Sequence, residues 1–287
     1  MAFDSNPAGD LSVWWALSGL CLELVTGGYR RTLETGVDCW WLRGARGRRR
    51  GAAMLHLLFS LGARYPARAD ARMAAEAAAK AAALSSSSSS SSSPTIVFAG
   101  SSTFTFWLNL ERDVRAALGG GADAPRCVNA GFGGASTRHV LATMGALVLA
   151  HRPAVVVYFA GTNDINMDAP PPSAVDNFAA FVARLRESLP AAHVVYLEPT
   201  VTPFVRARGA ATVRRFEELA AAARALAAAS GGAVESVATP AFAASADAFL
   251  GDLHHLRPES HAELARALAP AIQRALAAAG AATMATR

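Results

Sequence analysis

Cysteine is scarce in this chain: Cys21, Cys39 and Cys127 are the only three in 287 residues, an odd count with no C-x-x-C pair. That pattern argues against a disulfide framework and against a structural zinc site. Cys127 falls in a predicted buried strand and reads as a small core residue. Charge is sparse too, at 17% of residues against 52% hydrophobic. Such a chain is too apolar for overall disorder and can bury a core. The N-terminal apolar stretch, residues 11–25, is interrupted by Glu23 and falls short of the ~20 residues that a spanning helix needs. The segment before it contains Asp4 and Asp10 and no basic residue, so it lacks a secretory n-region. A G-x-S-x-G elbow is missing as well, which argues against an α/β-hydrolase nucleophile turn.

The net charge of +5 is unevenly placed. Residues 1–94 carry eleven Lys/Arg against seven Asp/Glu, and the remainder carries sixteen against fifteen. The basic pI therefore belongs to the N-terminal segment and gives no reason to expect a nucleic-acid-binding domain. That segment also holds the pairs Trp14–Trp15 and Trp40–Trp41, an Arg run at Arg46, Arg48, Arg49 and Arg50, an Ala-rich stretch, and serine at every position from 85 to 93. Residues 48–69 have the order of a signal peptide displaced into the chain, and an Arg-rich extension also fits organelle targeting; the sequence assigns no compartment. Composition predicts a low-complexity, disordered extension over residues 1–94 that ends in a poly-Ser tether, then a folded domain over 95–287.

From Thr95 onward, short β-branched runs alternate with longer amphipathic stretches. Strands are predicted at 95–99, 126–129, 154–160, 193–198 and 233–237. Helices are predicted at 104–118, 136–150, 172–189, 210–229 and 259–279. The strands are nearly continuously apolar, as in a sheet covered on both faces. The alternation predicts an α/β fold with a parallel sheet, in which ligands bind beyond the carboxyl ends of the strands.

Four islands carry the chemistry. Gly100-Ser101-Ser102-Thr103 follows the first strand, where a hydroxyl can stand above the sheet; Ser101 and Ser102 compete for the roles of helix cap and nucleophile. Asn129-Ala-Gly-Phe-Gly-Gly-Ala follows the second strand, and its glycines let a backbone N–H approach a ligand closely. Gly161-Thr162-Asn163-Asp164 follows the third. The Asn163 amide can donate to an oxyanion without titrating, whereas Asp164 is acceptor-only and is expected to brace the loop. Asp252-Leu253-His254-His255 precedes the last helix, and its spacing lets the carboxylate reach back to the ring of His255 while His254 points elsewhere. Alone, each island also fits an ordinary cap or turn. Together they supply a nucleophile, a base, an orienting acid and oxyanion donors.

These blocks resemble those of the SGNH hydrolase superfamily, the GDSL-type esterases and lipases, in a variant where G-S-S replaces G-D-S and a Trp, here Trp107, follows. The resemblance runs from about Thr95 to Ala279. It implies a three-layer α/β/α sandwich with a five-stranded, flavodoxin-like parallel sheet. It also implies ester hydrolysis through an acyl-enzyme without metal or cofactor. By the match Ser102 is the nucleophile, Asp252 and His255 complete the triad, and Ser102, Gly134 and Asn163 form the oxyanion hole. Leu253-His254 stands where Gly-Leu is common. No long insertion offers a lipase lid, so a small or polar ester substrate is expected. The alternatives are O-acyl transfer to a carbohydrate at the same site, or a non-catalytic binding module of the same fold.

Overall fold

The computed structural model describes residues 52–57, 59–60, 66–86, 93–121 and 124–285. The tryptophan pairs, the stretch 11–25, the Arg run, Cys21, Cys39 and the serines at 87–92 lie outside the described residues. Five strands, β1 (Thr95–Gly100), β2 (Arg126–Asn129), β3 (Val155–Phe159), β4 (His193–Leu197) and β5 (Val234–Val237), form one sheet in the order β2-β1-β3-β4-β5. Every pairing is parallel. This is the flavodoxin-like order, in which the direction of winding reverses between β1 and β3 and leaves a crevice there.

From residue 66 onward nine α-helices are described: α1 (Pro66–Ser86), α2 (Ser102–Thr105), α3 (Leu110–Ala117), α4 (Thr137–Leu147), α5 (Thr162–Asn166), α6 (Pro171–Ser188), α7 (Pro203–Ala207), α8 (Ala210–Ala229) and α9 (Pro258–Ala285). The period-2 alternation of each strand feeds two cores. Val97, Ala99, Val156, Tyr158 and Tyr196 face one layer, where Phe178, Phe181 and Ala223 come from α6 and α8. Ile96, Phe98, Val157 and Val195 face the other, where Val114, Leu268 and Ile272 come from α3 and α9. The result is the three-layer α/β/α sandwich. Both faces are covered, which is why the strands read as continuous apolar runs.

Two expectations differ from what the chain does. Residues 104–118 do not form one helix. Trp107, 1% exposed, turns into the core against Phe98 and Phe104 and donates its indole N–H to Asp113 at 2.9 Å. The Asn129 amide also claims the Phe104 carbonyl at 2.6 Å, and the segment divides into α2 and α3. Residues 66–86, which composition assigns to a disordered extension, form helix α1. Met73 and Ala77 enter the core beside Phe132 and Val140, with Ala81 and Leu84 packed behind them. This i, i+4, i+8 stripe is apolar but mostly Ala, so it reads as low complexity until it meets a partner face. Burying Met73, 3% exposed, contributes on the order of 1.5–3 kcal/mol. Further upstream, helical residues 52–57 seat Leu55 among Ile165, Phe204 and Phe216.

Candidate active site

Ser102 sits where β1 passes into α2. Strand β1 approaches β3 so closely at this point that a Cβ on Gly100 would lie 2.2 Å from the Phe159 carbonyl oxygen. Only glycine allows that pairing to persist up to the turn. Ser101 is the N-cap of α2, yet its hydroxyl makes no capping bond. The Ser101 Oγ is fully buried and has no hydrogen-bond partner. Ser102 is half-buried, and its Oγ lies 2.8 Å from His255 Nε2. The geometry thus separates the two serines.

The loop before α9 supplies the imidazole and the carboxylate. It is pinned by the Leu250 N–H donating to the His255 carbonyl at 2.7 Å and by a bridge between Phe249 and Leu256. Asp252 is wholly buried, and its Oδ2 meets His255 Nδ1 at 2.5 Å. Its Oδ1 accepts the backbone N–H groups of His254 and His255, both at 3.0 Å. The Asp252 carboxylate is therefore held from both oxygens, and His255 is held as a donor through Nδ1, so that Nε2 faces Ser102. Phe106 stands edge-on to the His255 ring, centroids 4.8 Å apart. The turn is closed by Leu253 at φ +62°, in the left-handed region that glycine adopts most easily.

His254 is engaged by partners other than Ser102. Its Nδ1 lies 3.1 Å from Thr202 Oγ1, and its ring packs against Phe59 and Phe204. Desolvation, with the neighbouring His255 adding to it, pushes its imidazole down to about 3. A base so weak is neutral and poorly suited to hold a proton near neutrality.

The second and third islands converge on the same end of the sheet and are tied to each other. Gly134 adopts φ +77°. The Asn163 side chain, 2% exposed, donates from Nδ2 to the Ala135 carbonyl at 2.8 Å, and a primary amide has a second N–H to offer. Asp164 accepts from the Thr137 N–H at 2.9 Å and from its hydroxyl at 2.6 Å. Burial raises the Asp164 carboxyl above the usual carboxylate range, while the two Thr137 hydrogen bonds oppose the shift. Asp164 therefore braces α5 against the start of α4.

Three positioning residues escaped the sequence reading. Asn129 bonds both the Phe104 carbonyl and the Gly131 N–H, the latter at 3.1 Å, and so couples the first island to the second. His261 stacks on Trp107 with ring centroids 5.3 Å apart. Burial pushes it down to about 3. Its place at the head of the apolar stripe of Leu264, Ala265 and Leu268 was the available signal. His139, three residues after the helix cap Ser136, closes a capping box whose usual Glu or Gln is replaced by an imidazole.

A small, partly open cleft lies beside Ser102. Phe159, Leu197, Phe249 and Leu264 give it apolar walls, and Thr200 and Thr239 stand among its polar groups. A mostly apolar concavity with a few placed hydroxyls fits a small organic ligand. Among the described residues, no group of three or more His, Cys, Asp and Glu side chains gathers as a metal site. None of the described helices is long and apolar enough to cross a membrane. Cys127 is a free, buried thiol that desolvation pushes up to about 12, so it is inert packing.

The sequence profile of the GDSL-like lipase/acylhydrolase family matches residues 92–263. No curated protein matches the chain. Solved structures resemble it in fold. The lipase/acylhydrolase from Enterococcus faecalis superposes with a TM-score of 0.52 at 20% identity, covering 62% of this chain and 95% of its own. A GDSL-like lipase from Bacteroides thetaiotaomicron gives 0.51 at 21% identity, covering 63% and 89%. A carbohydrate acetylesterase family member from Sinorhizobium meliloti gives 0.50 at 19% identity, covering 64% and 99%.

Proposed function

The chain belongs to the GDSL-like lipase/acylhydrolase family, and from that premise we propose that it hydrolyses small or polar carboxylic esters through an acyl-enzyme on Ser102. Membership supports ester hydrolysis in general; the residue roles and the substrate class are our reading. The observation that carries it is the unbroken chain from Asp252 through His255 to the Ser102 hydroxyl.

In this mechanism His255 Nε2 removes the Ser102 proton as Oγ attacks the ester carbonyl carbon. The carbonyl electrons move onto oxygen, and that oxyanion accepts hydrogen bonds from the Ser102 N–H, the Gly134 N–H and the free N–H of Asn163. Asp252 keeps the imidazole in the productive tautomer and balances the imidazolium. Collapse of the tetrahedral intermediate expels the alcohol, which takes the proton from Nε2. Water then attacks the acyl-enzyme with His255 again as base, which releases the acid and restores Ser102. No metal or cofactor enters. The apolar walls of the cleft favour a short aliphatic acyl group, and its threonines favour a polar substituent, acetylated carbohydrate among them.

The test is hydrolysis of p-nitrophenyl acetate by the purified chain. Ser102→Ala abolishes turnover in this account, and turnover that survives the change refutes it. Analysis of products with and without an alcohol acceptor distinguishes hydrolysis from acyl transfer at the same serine.

A further inference from the structure

We propose that helix α1, which lies outside the residues matched by the family profile, is a positioning element of the oxyanion hole, with Glu76 and Asp70 as its working residues. This rests on the reading of Gly134 and Asn163 as oxyanion donors.

The turn at 133–136 is clamped from two sides. On the α5 side, Asn163 holds the Ala135 carbonyl and Asp164 holds Thr137. On the other side stands α1. Glu76 sets its Oε2 only 3.4 Å from where a Cβ on Gly133 would lie, so its carboxylate faces the peptide next to the proposed donor, and the Gly133 N–H offsets part of the upward push of burial on the Glu76 carboxyl. Helix α1 seats directly on Gly134: a Cβ there would lie 2.9 Å from Arg72 Nη2 and 3.4 Å from Met73 Cε. Gly134 has to be glycine for its positive φ, and the ends of the Arg72 and Met73 side chains cover it. Arg72 in turn lies 3.6 Å from Glu76, one turn along the same helix.

Asp70 acts one step further away. Its Oδ1 lies 2.9 Å from His139 Nε2, and the same carboxylate takes Arg138 through both of its oxygens. His139 Nδ1 receives the Ser136 N–H at 3.1 Å and lies 2.8 Å from the Ser136 hydroxyl. A ring nitrogen that accepts a backbone N–H carries no proton, so the proton is on Nε2 and is donated to Asp70. Burial also holds the imidazole below its ordinary value, in the neutral form this arrangement needs. Asp70, His139 and Ser136 thus form a second Asp–His–Ser relay whose serine is buried, 2% exposed, and serves as a helix cap. Its product is a fixed position for the end of the oxyanion turn. Preorganised donors of this kind act on the transition state and leave substrate binding largely alone.

The experiment uses the full chain and p-nitrophenyl acetate, with thermal melts to verify folding. Glu76→Ala lowers kcat about 10- to 100-fold with KM within about threefold, a fraction of what losing an entire donor costs. Glu76→Gln, which keeps a neutral acceptor for the Gly133 N–H, recovers to within about threefold of wild type. Asp70→Ala, at a side chain 39% exposed and tolerant of truncation, lowers kcat in the same direction by a smaller factor. Affinity for a boronic-acid transition-state analogue falls by the same factor as kcat in each variant. If kcat is unchanged in folded Glu76→Ala and Asp70→Ala, or if only KM rises, the helix is a passive wall and the proposal is overturned. Failure of the underlying reading is distinguishable, because it shows as activity that survives Ser102→Ala.

Discussion

Replacing Asp252 by Asn tests the hydrogen-bond logic of the site with almost no change of shape. One carboxylate oxygen accepts two backbone N–H groups, those of His254 and His255, and the other meets His255 Nδ1. An asparagine has only one oxygen. Turning its NH₂ toward two N–H donors inside a fully buried pocket would oppose donors to donors, so the oxygen stays at the Oδ1 position. The NH₂ then faces His255 Nδ1, which must become an acceptor. The imidazole proton moves to Nε2 and points at Ser102, where it blocks proton removal. The expected loss in kcat/KM is about 10⁴-fold, or about 5 kcal/mol of transition-state stabilisation. Asp252→Ala is a poorer test, because it also leaves two buried donors unsatisfied and a void. The assay is steady-state hydrolysis of p-nitrophenyl acetate, with near-UV circular dichroism and a melt to verify the fold. A folded Asp252→Asn variant within tenfold of wild type would refute the reasoning.

Three further outcomes follow from the surroundings of the site. Ser101→Ala removes a buried hydroxyl that has no partner, so melting should stay level or rise and activity should stay within about threefold; a loss of more than about 2 kcal/mol would mean that the hydroxyl is satisfied after all. Leu253→Gly relieves a left-handed residue at the cost of a half-buried side chain and should lie within about 1 kcal/mol of neutral, whereas Leu253→Val should cost more, since β-branched residues tolerate that region least; equal melting of the two would count against strain at this turn. Because burial pushes both His254 and His261 down to about 3, below the ~6.5 of an unfolded imidazole, their contribution is complete above that value and is lost as pH falls toward 3. With two groups, urea denaturation should show unfolding free energy dropping by on the order of 2–3 kcal/mol per pH unit between about 6 and 4; a flat profile there would contradict the burial of these rings.

What was legible in the sequence was what local pattern encodes. The apolar runs at 95–99, 126–129 and 193–198 mark strands because both faces of the sheet are covered. The alternation with amphipathic stretches gives the parallel sheet, and residues 210–229 coincide with α8. The placement of three islands at strand ends follows from the same pattern, since the order of the strands brings those ends to one crevice. What stayed hidden depends on contacts distant in sequence. The break between α2 and α3 is imposed by Trp107 packing on His261 and by Asn129 taking the Phe104 carbonyl, neither of which helix periodicity registers. Helix α1 was masked by its alanines, whose apolar stripe acquires meaning only against Phe132 and Val140. The choice of Ser102 over Ser101 rests on the family resemblance and that of His255 over His254 on motif spacing; the physical separation lies in which hydroxyl and which ring face each other.

Covalent labelling by a fluorophosphonate, read by intact mass and peptide mapping, probes the central claim most directly, because it needs the nucleophile, the base and the oxyanion donors without any knowledge of the natural ester. The account predicts a single adduct on Ser102, lost in Ser102→Ala, slowed strongly in His255→Ala and little changed in His254→Ala. An adduct on Ser101, or labelling that survives Ser102→Ala, would contradict it.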